Sequence, residues 1–76
     1  MRWKQRIDQA IRRRVVLHTK DGHSLRGVLW ANYPDAVELR AAQYLRDDGV
    51  TLPTEGSVLV PTGNVSWIQE LGGEQA

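Results

Sequence analysis

Residues 15–39, VVLHTKDGHSLRGVLWANYPDAVEL, decide the fold of this chain. The run opens on Val15-Val16-Leu17, apolar and largely β-branched, and turns polar at Thr19-Lys20, as a strand does on leaving a core. Asp21-Gly22 follows as a hairpin signal, because glycine adopts the positive φ that tight turns need. From His23 to Asn32 a second strand alternates, with Leu25, Gly27 and Leu29 on one face and Arg26, Val28 and Trp30 on the other. Gly27 inside a strand marks a sharp bend or a close backbone approach. A bend is the expectation, since one long strand must serve both halves of a small barrel. Tyr33-Pro34-Asp35 makes the next loop, proline fixing φ and removing a ladder donor. A third strand over 36–44 sets Val37, Leu39 and Ala41 opposite Glu38 and Arg40.

Working outward, the stretch 58–71, VLVPTGNVSWIQEL, reads as two short strands joined by the turn Pro61-Thr62-Gly63-Asn64, the last strand lying beside the first. Between them, 46–57 (RDDGVTLPTEGS) is a turn-rich connection or an extended hairpin tip. On the N-terminal side, Trp3, Ile7, Ala10 and Ile11 fall on one stripe of a 3.6-residue period, which predicts a helix over 2–14 ending near Arg14. A helix of about 12 residues is marginal alone, so its stripe must dock, most simply on an open end of the barrel. Arg12-Arg13-Arg14 would suit the negative end of its dipole. The expected fold is mainly β with an N-terminal α-helix: a five-stranded, strongly bent antiparallel barrel. It forms one domain over 1–71, helix 2–14 and barrel 15–71, with 72–76 as a flexible tail.

Seventy-six residues lie near the lower limit for a self-sufficient core. Three tryptophans and the Val/Leu/Ile set supply apolar material, phenylalanine is missing, and without cysteine neither disulfides nor thiolate metal sites can add to it. Pairing of sheet edges between copies is therefore expected. No apolar run approaches the roughly 20 residues of a membrane span, and the charged start lacks the apolar core of a secretion signal. The expectation is a soluble chain of the cytoplasm with no membrane partner.

Net charge is only +1, yet residues 1–14 hold six basic side chains against one acid, and the rest of the chain holds four basic against eight acidic. Such asymmetry predicts an acidic partner for the N-terminal element: nucleic acid phosphates, or the acidic body of another copy. Catalysis has no support. The serines lie in turns or strands without motif context, Asp47-Asp48 is a solvated loop tip, and the glycines form no phosphate loop. His18 and His23 flank the hairpin turn, but two imidazoles fall short of the three or four ligands a stable metal site takes. No cofactor is implied.

The element order, Val15-Val16-Leu17, Asp21-Gly22, Gly27, Leu29 and Val37/Leu39, together with Val58, Val60, Gly63-Asn64, Val65 and Ile68, resembles the Sm-like superfamily over residues 2–71. That superfamily includes the Sm and Sm-like RNA proteins and the bacterial host-factor RNA chaperone. The resemblance implies a homo-oligomeric ring of six or seven copies, in which the fourth strand of one subunit pairs with the fifth of the next. Val58, Val60 and Trp67 would then lie at the subunit interface. The chain departs from the family at its base-reading positions. Asn32-Tyr33-Pro34-Asp35-Ala36 lacks the Asp-x-x-x-Asn loop, Pro61-Thr62 replaces Arg-Gly, and the chaperone's Tyr-Lys-His is missing. A base can instead stack on Tyr33 and bond to Asn64.

The resulting expectation is a non-enzymatic ring contacting phosphates through Arg2, Arg6, Arg12, Arg13 and Arg14. Trp30 and Trp67 are expected to cover barrel faces or a subunit contact. Trp3, Arg26-Gly27-Val28-Leu29, Val60-Pro61 and Val65-Ser66-Trp67 are also similar in style to small Sm-like chains of tailed phages of high-GC bacteria. That resemblance implies a structural or adaptor role in a virion or its assembly, with phage structural proteins as partners and the host cytoplasm or virion as location. A monomeric SH3-like peptide-binding barrel has nearly the same strand order.

Overall fold

A computed structural model describes residues 7–71, and its sheet is built on the three strands whose sequence alternates. Strand β1 (Arg14–Thr19) pairs antiparallel with β2 (Ser24–Asn32), and β2 with β3 (Ala36–Leu45). Val15 and Leu17 of β1, Leu29 of β2, and Val37 and Leu39 of β3 are fully buried, as period-two alternation requires of a face packed on a core. The β1–β2 connection closes with Gly22 at φ +92, a conformation open to glycine and strained for other residues. Its backbone is tied by the Thr19 N–H donating to the His23 carbonyl at 2.9 Å.

The remaining strands wrap this sheet. Strand β6 (Val65–Glu70) runs antiparallel beside β1, with a 3-10 turn over Thr62–Asn64 leading into it. Strands β4 (Thr51–Pro53) and β5 (Val58–Pro61) both pair with the ten-residue β3, at its end and its beginning respectively. Of the two expectations for residues 46–57, a connection or an extended hairpin tip, the structure has the hairpin, and β4 and β5 act as one strand interrupted at 54–57. Six hydrogen-bonded segments make up the five bent strands of the expected barrel. Among the described residues, β5 pairs only with β3 and β6 only with β1, so each keeps one open edge.

Gly27 sits where the backbones of β2 and β3 come closest. A Cβ there would meet the Ala42 Cα at 2.9 Å and the Arg40 carbonyl oxygen at 3.0 Å. The cause lies in β3, where Ala41 adopts φ +52 and the register slips between Arg26/Gln43 and Val28/Arg40. This bulge turns Ala41 out to solvent and Ala42 (2% exposed) into the core, reversing the expected face of Ala41. Close approach, rather than a bend, is what excludes a side chain at Gly27.

The N-terminal helix ends earlier than its periodicity predicts. Residues 7–9 are helical, 10–12 form a turn, and Arg14 already belongs to β1. Arg12 adopts φ +72, its N–H donating to the Leu29 carbonyl at 2.7 Å while Leu29 N–H donates to Arg13 at 2.9 Å. Pairing with β2 therefore takes the chain out of the helix, and the three arginines are not a helix terminus. Ile7 and Ala10 do dock on the barrel core. Among the described residues that core is aliphatic, since Trp30 is only half-buried and Trp67 is 53% exposed. The remainder of the predicted helix, with Arg2, Trp3 and Arg6, and the predicted tail 72–76 lie outside the described residues.

Candidate nucleic-acid interface

One contiguous patch runs from the N-terminal segment to the loop at residues 33–35. Its centre is the Trp30 indole, with the Arg12 guanidinium carbon 3.9 Å and the Arg40 guanidinium carbon 4.2 Å from the ring centroid. Each contact is a cation–π attraction, worth about 0.5–1 kcal/mol at an exposed site. Arg40 also donates from Nε to Glu38 Oε2 at 2.9 Å, and the Tyr33 hydroxyl donates to Glu38 Oε1 at 2.7 Å. Asn32 next to this loop donates to the Asp8 carboxylate at 2.9 Å, fastening the helical segment to the end of β2. The chain Arg12–Trp30–Arg40–Glu38–Tyr33 thus joins the basic run to the loop.

Glu38 is the member that sequence alternation misplaces. Its position opposite Val37 and Leu39 marks it for solvent, yet it is 5% exposed and is the one buried charged or polar residue among those described. The Tyr33 hydroxyl and then the Arg40 guanidinium, by hydrogen bonding, hold its carboxyl down at about 2. The same contact raises the Tyr33 hydroxyl above its ordinary value. A carboxylate whose pKa is depressed on folding stabilises the native state above its ordinary range near 4.5 and ceases to do so as pH falls from there towards 2. Wild-type melting temperature is accordingly expected to drop over that window, and Glu38→Gln to flatten that part of the profile. Thermal unfolding followed by circular dichroism between pH 6 and pH 2 checks this; parallel profiles would remove Glu38 from the account.

The three described arginines of the basic run differ in their surroundings. Arg12 lies on Trp30, Arg13 is 3.7 Å from Glu70 in an exposed pair, and Arg14 has no ion pair to a described residue. An exposed pair of this kind is worth little, so Arg13 can exchange it for a phosphate.

Tyr33, 45% exposed, and the 3-10 turn are brought together by Thr62 N–H donating to the Asp35 carbonyl at 2.9 Å. Asn64, however, is tied to the β1–β2 turn. Its carbonyl accepts from Lys20 N–H at 2.8 Å, and its side chain lies close enough to the Asp21 carboxylate to favour the charged form. Asp21 is pulled below its ordinary value by Thr19 first, with His23 and Asn64 adding to the effect. Asn64 is thus placed beside the β1–β2 turn, and Tyr33 beside the 3-10 turn through Asp35 and Thr62.

At the predicted subunit contact, Val60 is buried in the core and Val58 packs against it. Of the two side chains that β5 exposes, Leu59 and Pro61, the larger is Leu59, 61% accessible. On β6, Trp67 lies stacked on His18, with centroids 3.7 Å apart and planes inclined by 12°. The His18 Nδ1 meets the Ser24 hydroxyl at 2.9 Å, whereas His23 pairs with Asp21 at 3.3 Å, so the two imidazoles are engaged separately. Among the described residues no group of three or more His, Asp, Glu or Cys side chains is gathered to hold a metal. None of the described helices is long and apolar enough to cross a membrane.

A group of three acids, Asp21, Asp47 and Asp48, lies at the far end of β1 from the arginines, about 20 Å away over six residues of strand, with Arg46 among them. There a cleft of about 660 Å³ opens between the β1–β2 turn and the β3–β4 hairpin, with Asp21, Asp47 and Asp48 along it.

No protein-family model and no curated protein sequence matches this chain. Solved structures do. A heptameric archaeal Sm protein superposes with a TM-score of 0.78 at 23% identity, over 90% of this chain and 98% of that one. The P. aerophilum SmAP1 heptamer gives 0.80 at 24%, over 91% and 92%. A Pyrococcus abyssii Sm protein in complex with a uridine heptamer gives 0.77 at 24%, over 88% and 94%. Likeness at this level of identity establishes the fold, and the fold of this chain is the Sm fold.

Proposed function

We propose that the chain assembles through its two open sheet edges into a homo-oligomeric ring of six or seven copies that binds single-stranded RNA without catalysing a reaction. The observation that carries this reading is the adjacency, on an Sm fold, of the basic run Arg12–Arg14 and the exposed Tyr33, joined through Trp30, Arg40 and Glu38. Arginines supply phosphate contacts that release counterions, and an exposed aromatic supplies a stacking face that tolerates any base. Arg2 and Arg6 would extend the basic run. The neighbour bound to a uridine heptamer supports RNA as the polymer. The cytoplasm, where such a polymer is met, is the compartment this reading implies.

Fluorescence-polarisation titration of a labelled uridine heptamer at about 50 and about 200 mM salt, with light scattering after nuclease treatment, tests both halves. Binding that weakens as salt rises, on a particle of six or seven times 8.6 kDa, is expected. No binding at the lower salt, or a monomer mass, would sink it. The open edges make a separate prediction. With Val58 and Val60 turned inward, the side chains placed to meet a neighbouring copy are Leu59 and Trp67. Leu59→Lys is expected to reduce the oligomer to monomers at micromolar concentration while leaving the circular dichroism unchanged. Retention of the full mass would show that β5 is not an assembly edge.

A second reading, a structural or adaptor protein of a phage particle using the same arginines on protein, draws support from the place of Asn64 beside the β1–β2 turn, where its carbonyl accepts from Lys20 N–H. It predicts that the protein co-purifies with virions and leaves the heptamer unbound.

A further inference from the structure

We infer that Glu38 is a positioning residue for the base-stacking face of Tyr33, an inference that rests on the RNA-binding reading above. A tyrosine on an exposed loop ordinarily samples several rotamers, and a base that stacks on it must first arrest that motion. Here the ring is restrained at both ends. At the backbone, Tyr33 precedes Pro34, which limits it to extended conformations, and its N–H donates to the Ala36 carbonyl at 2.8 Å. At the tip, its hydroxyl donates to Glu38 at 2.7 Å. The ring is left 45% exposed, with its polar end occupied.

The anchor itself cannot yield. Glu38 is 5% exposed, and its second oxygen accepts from Arg40, whose guanidinium rests on Trp30. The stability that the paired carboxylate lends is no reason to prefer it here, because a well-packed apolar side chain of similar volume serves a small barrel as well or better. The carboxylate is explained if the hydroxyl of Tyr33 needs a fixed acceptor. The Arg40 guanidinium offsets the negative charge, so phosphates passing the loop do not meet a bare carboxylate.

The experiment compares two probes on the full chain: a uridine heptamer and a heptamer of abasic sugar-phosphate units. Both report phosphate contacts, and only the first reports stacking. Wild type is expected to prefer the uridine heptamer. Tyr33→Phe, which keeps the ring and removes the hydroxyl, and Glu38→Leu, which removes the acceptor, are each expected to reduce that preference by about two- to tenfold. Abasic binding should hold or, for Glu38→Leu, tighten through the lost negative charge. Tyr33→Ala should abolish the preference, and Glu38→Leu added to Tyr33→Ala should change it no further. Equal preference in wild type and Tyr33→Phe, or an undiminished effect of Glu38→Leu in the Tyr33→Ala background, overturns the positioning role. Wild type binding both probes equally would overturn stacking on Tyr33. Binding of neither probe would overturn the RNA reading, a result distinct from both. If Glu38→Leu fails to fold, Tyr33→Phe decides alone.

Discussion

Gly27→Val is expected to remove a large part of the stability of this domain. A Cβ at position 27 would lie 2.9 Å from the Ala42 Cα and 3.0 Å from the Arg40 carbonyl, both backbone atoms, so one strand must move. Overpacking of this kind costs about 1–3 kcal/mol, and the two further methyls of valine place it at the upper end. A chain of this size has a total stability of about 4–11 kcal/mol. A loss of about 3 kcal/mol corresponds to a fall in Tm of roughly 12–25 °C. Gly63→Ala is the control, because a Cβ there meets nothing within 4 Å. A rescue test sharpens the cause. Ala42→Gly in a Gly27→Ala background removes the 3.0 Å contact with the Ala42 Cβ but not the shorter one with its Cα, so recovery should be partial. Thermal and urea unfolding of the four variants measure this, and a Gly27→Val protein as stable as wild type would show that the two backbones are not in close contact.

The same glycine shows what the sequence could and could not disclose. Its presence in an alternating strand announced a special backbone site, but the reason resides in the bulge at Ala41 on a different strand. No local pattern encodes that partner. The hairpin at Asp21-Gly22 was fully legible because one glycine at positive φ is both cause and signal. An extended hairpin tip is one of two readings of 46–57, and the bounds Thr51–Pro53 do not follow from it, since three exposed residues show no alternation and their strand state follows from the length of β3. The helix end was misjudged because the apolar stripe continues through Ile11, while hydrogen bonds to Leu29, remote in sequence, set the actual exit.

At the site, Tyr33 and the arginines could be singled out as exposed residue types with a chemistry. Glu38 and Arg40 could not, because alternation assigns both to solvent and only the folded loop covers one of them. Val58 and Val60 were placed at the subunit contact from strand identity alone. Val60 is buried in the core and Val58 is half-buried against it, so side-chain contact with a neighbouring copy would fall to Leu59 while the backbone edge stays open. The stacking of Trp67 on His18 required the β1–β6 register, which two short strands do not specify on their own.

The second large effect concerns Arg12, Arg13 and Arg14. Neutralising all three as glutamines is expected to lower the slope of log affinity against log salt by about 0.7 for each arginine lost, roughly 2 in total for single-stranded RNA on one subunit. With affinity unchanged at about 1 M salt, that slope corresponds to a weakening of about 500-fold at 50 mM and about 30-fold at 200 mM. The three residues should not contribute alike. Arg14, without an ion pair to a described residue, should show its whole share; Arg13 must leave Glu70, a small cost at an exposed 3.7 Å pair. Arg12 is held in place over Trp30, so Trp30→Ala should weaken binding at constant slope, by freeing a charge rather than removing it. Lys20→Gln and Arg46→Gln, towards the acidic end of β1, provide the internal control and should leave the slope unchanged. A triple variant with the wild-type slope would transfer the phosphate contacts to other residues. One with the wild-type mass, and no nucleic-acid binding in either protein, would favour a protein partner for the same three arginines.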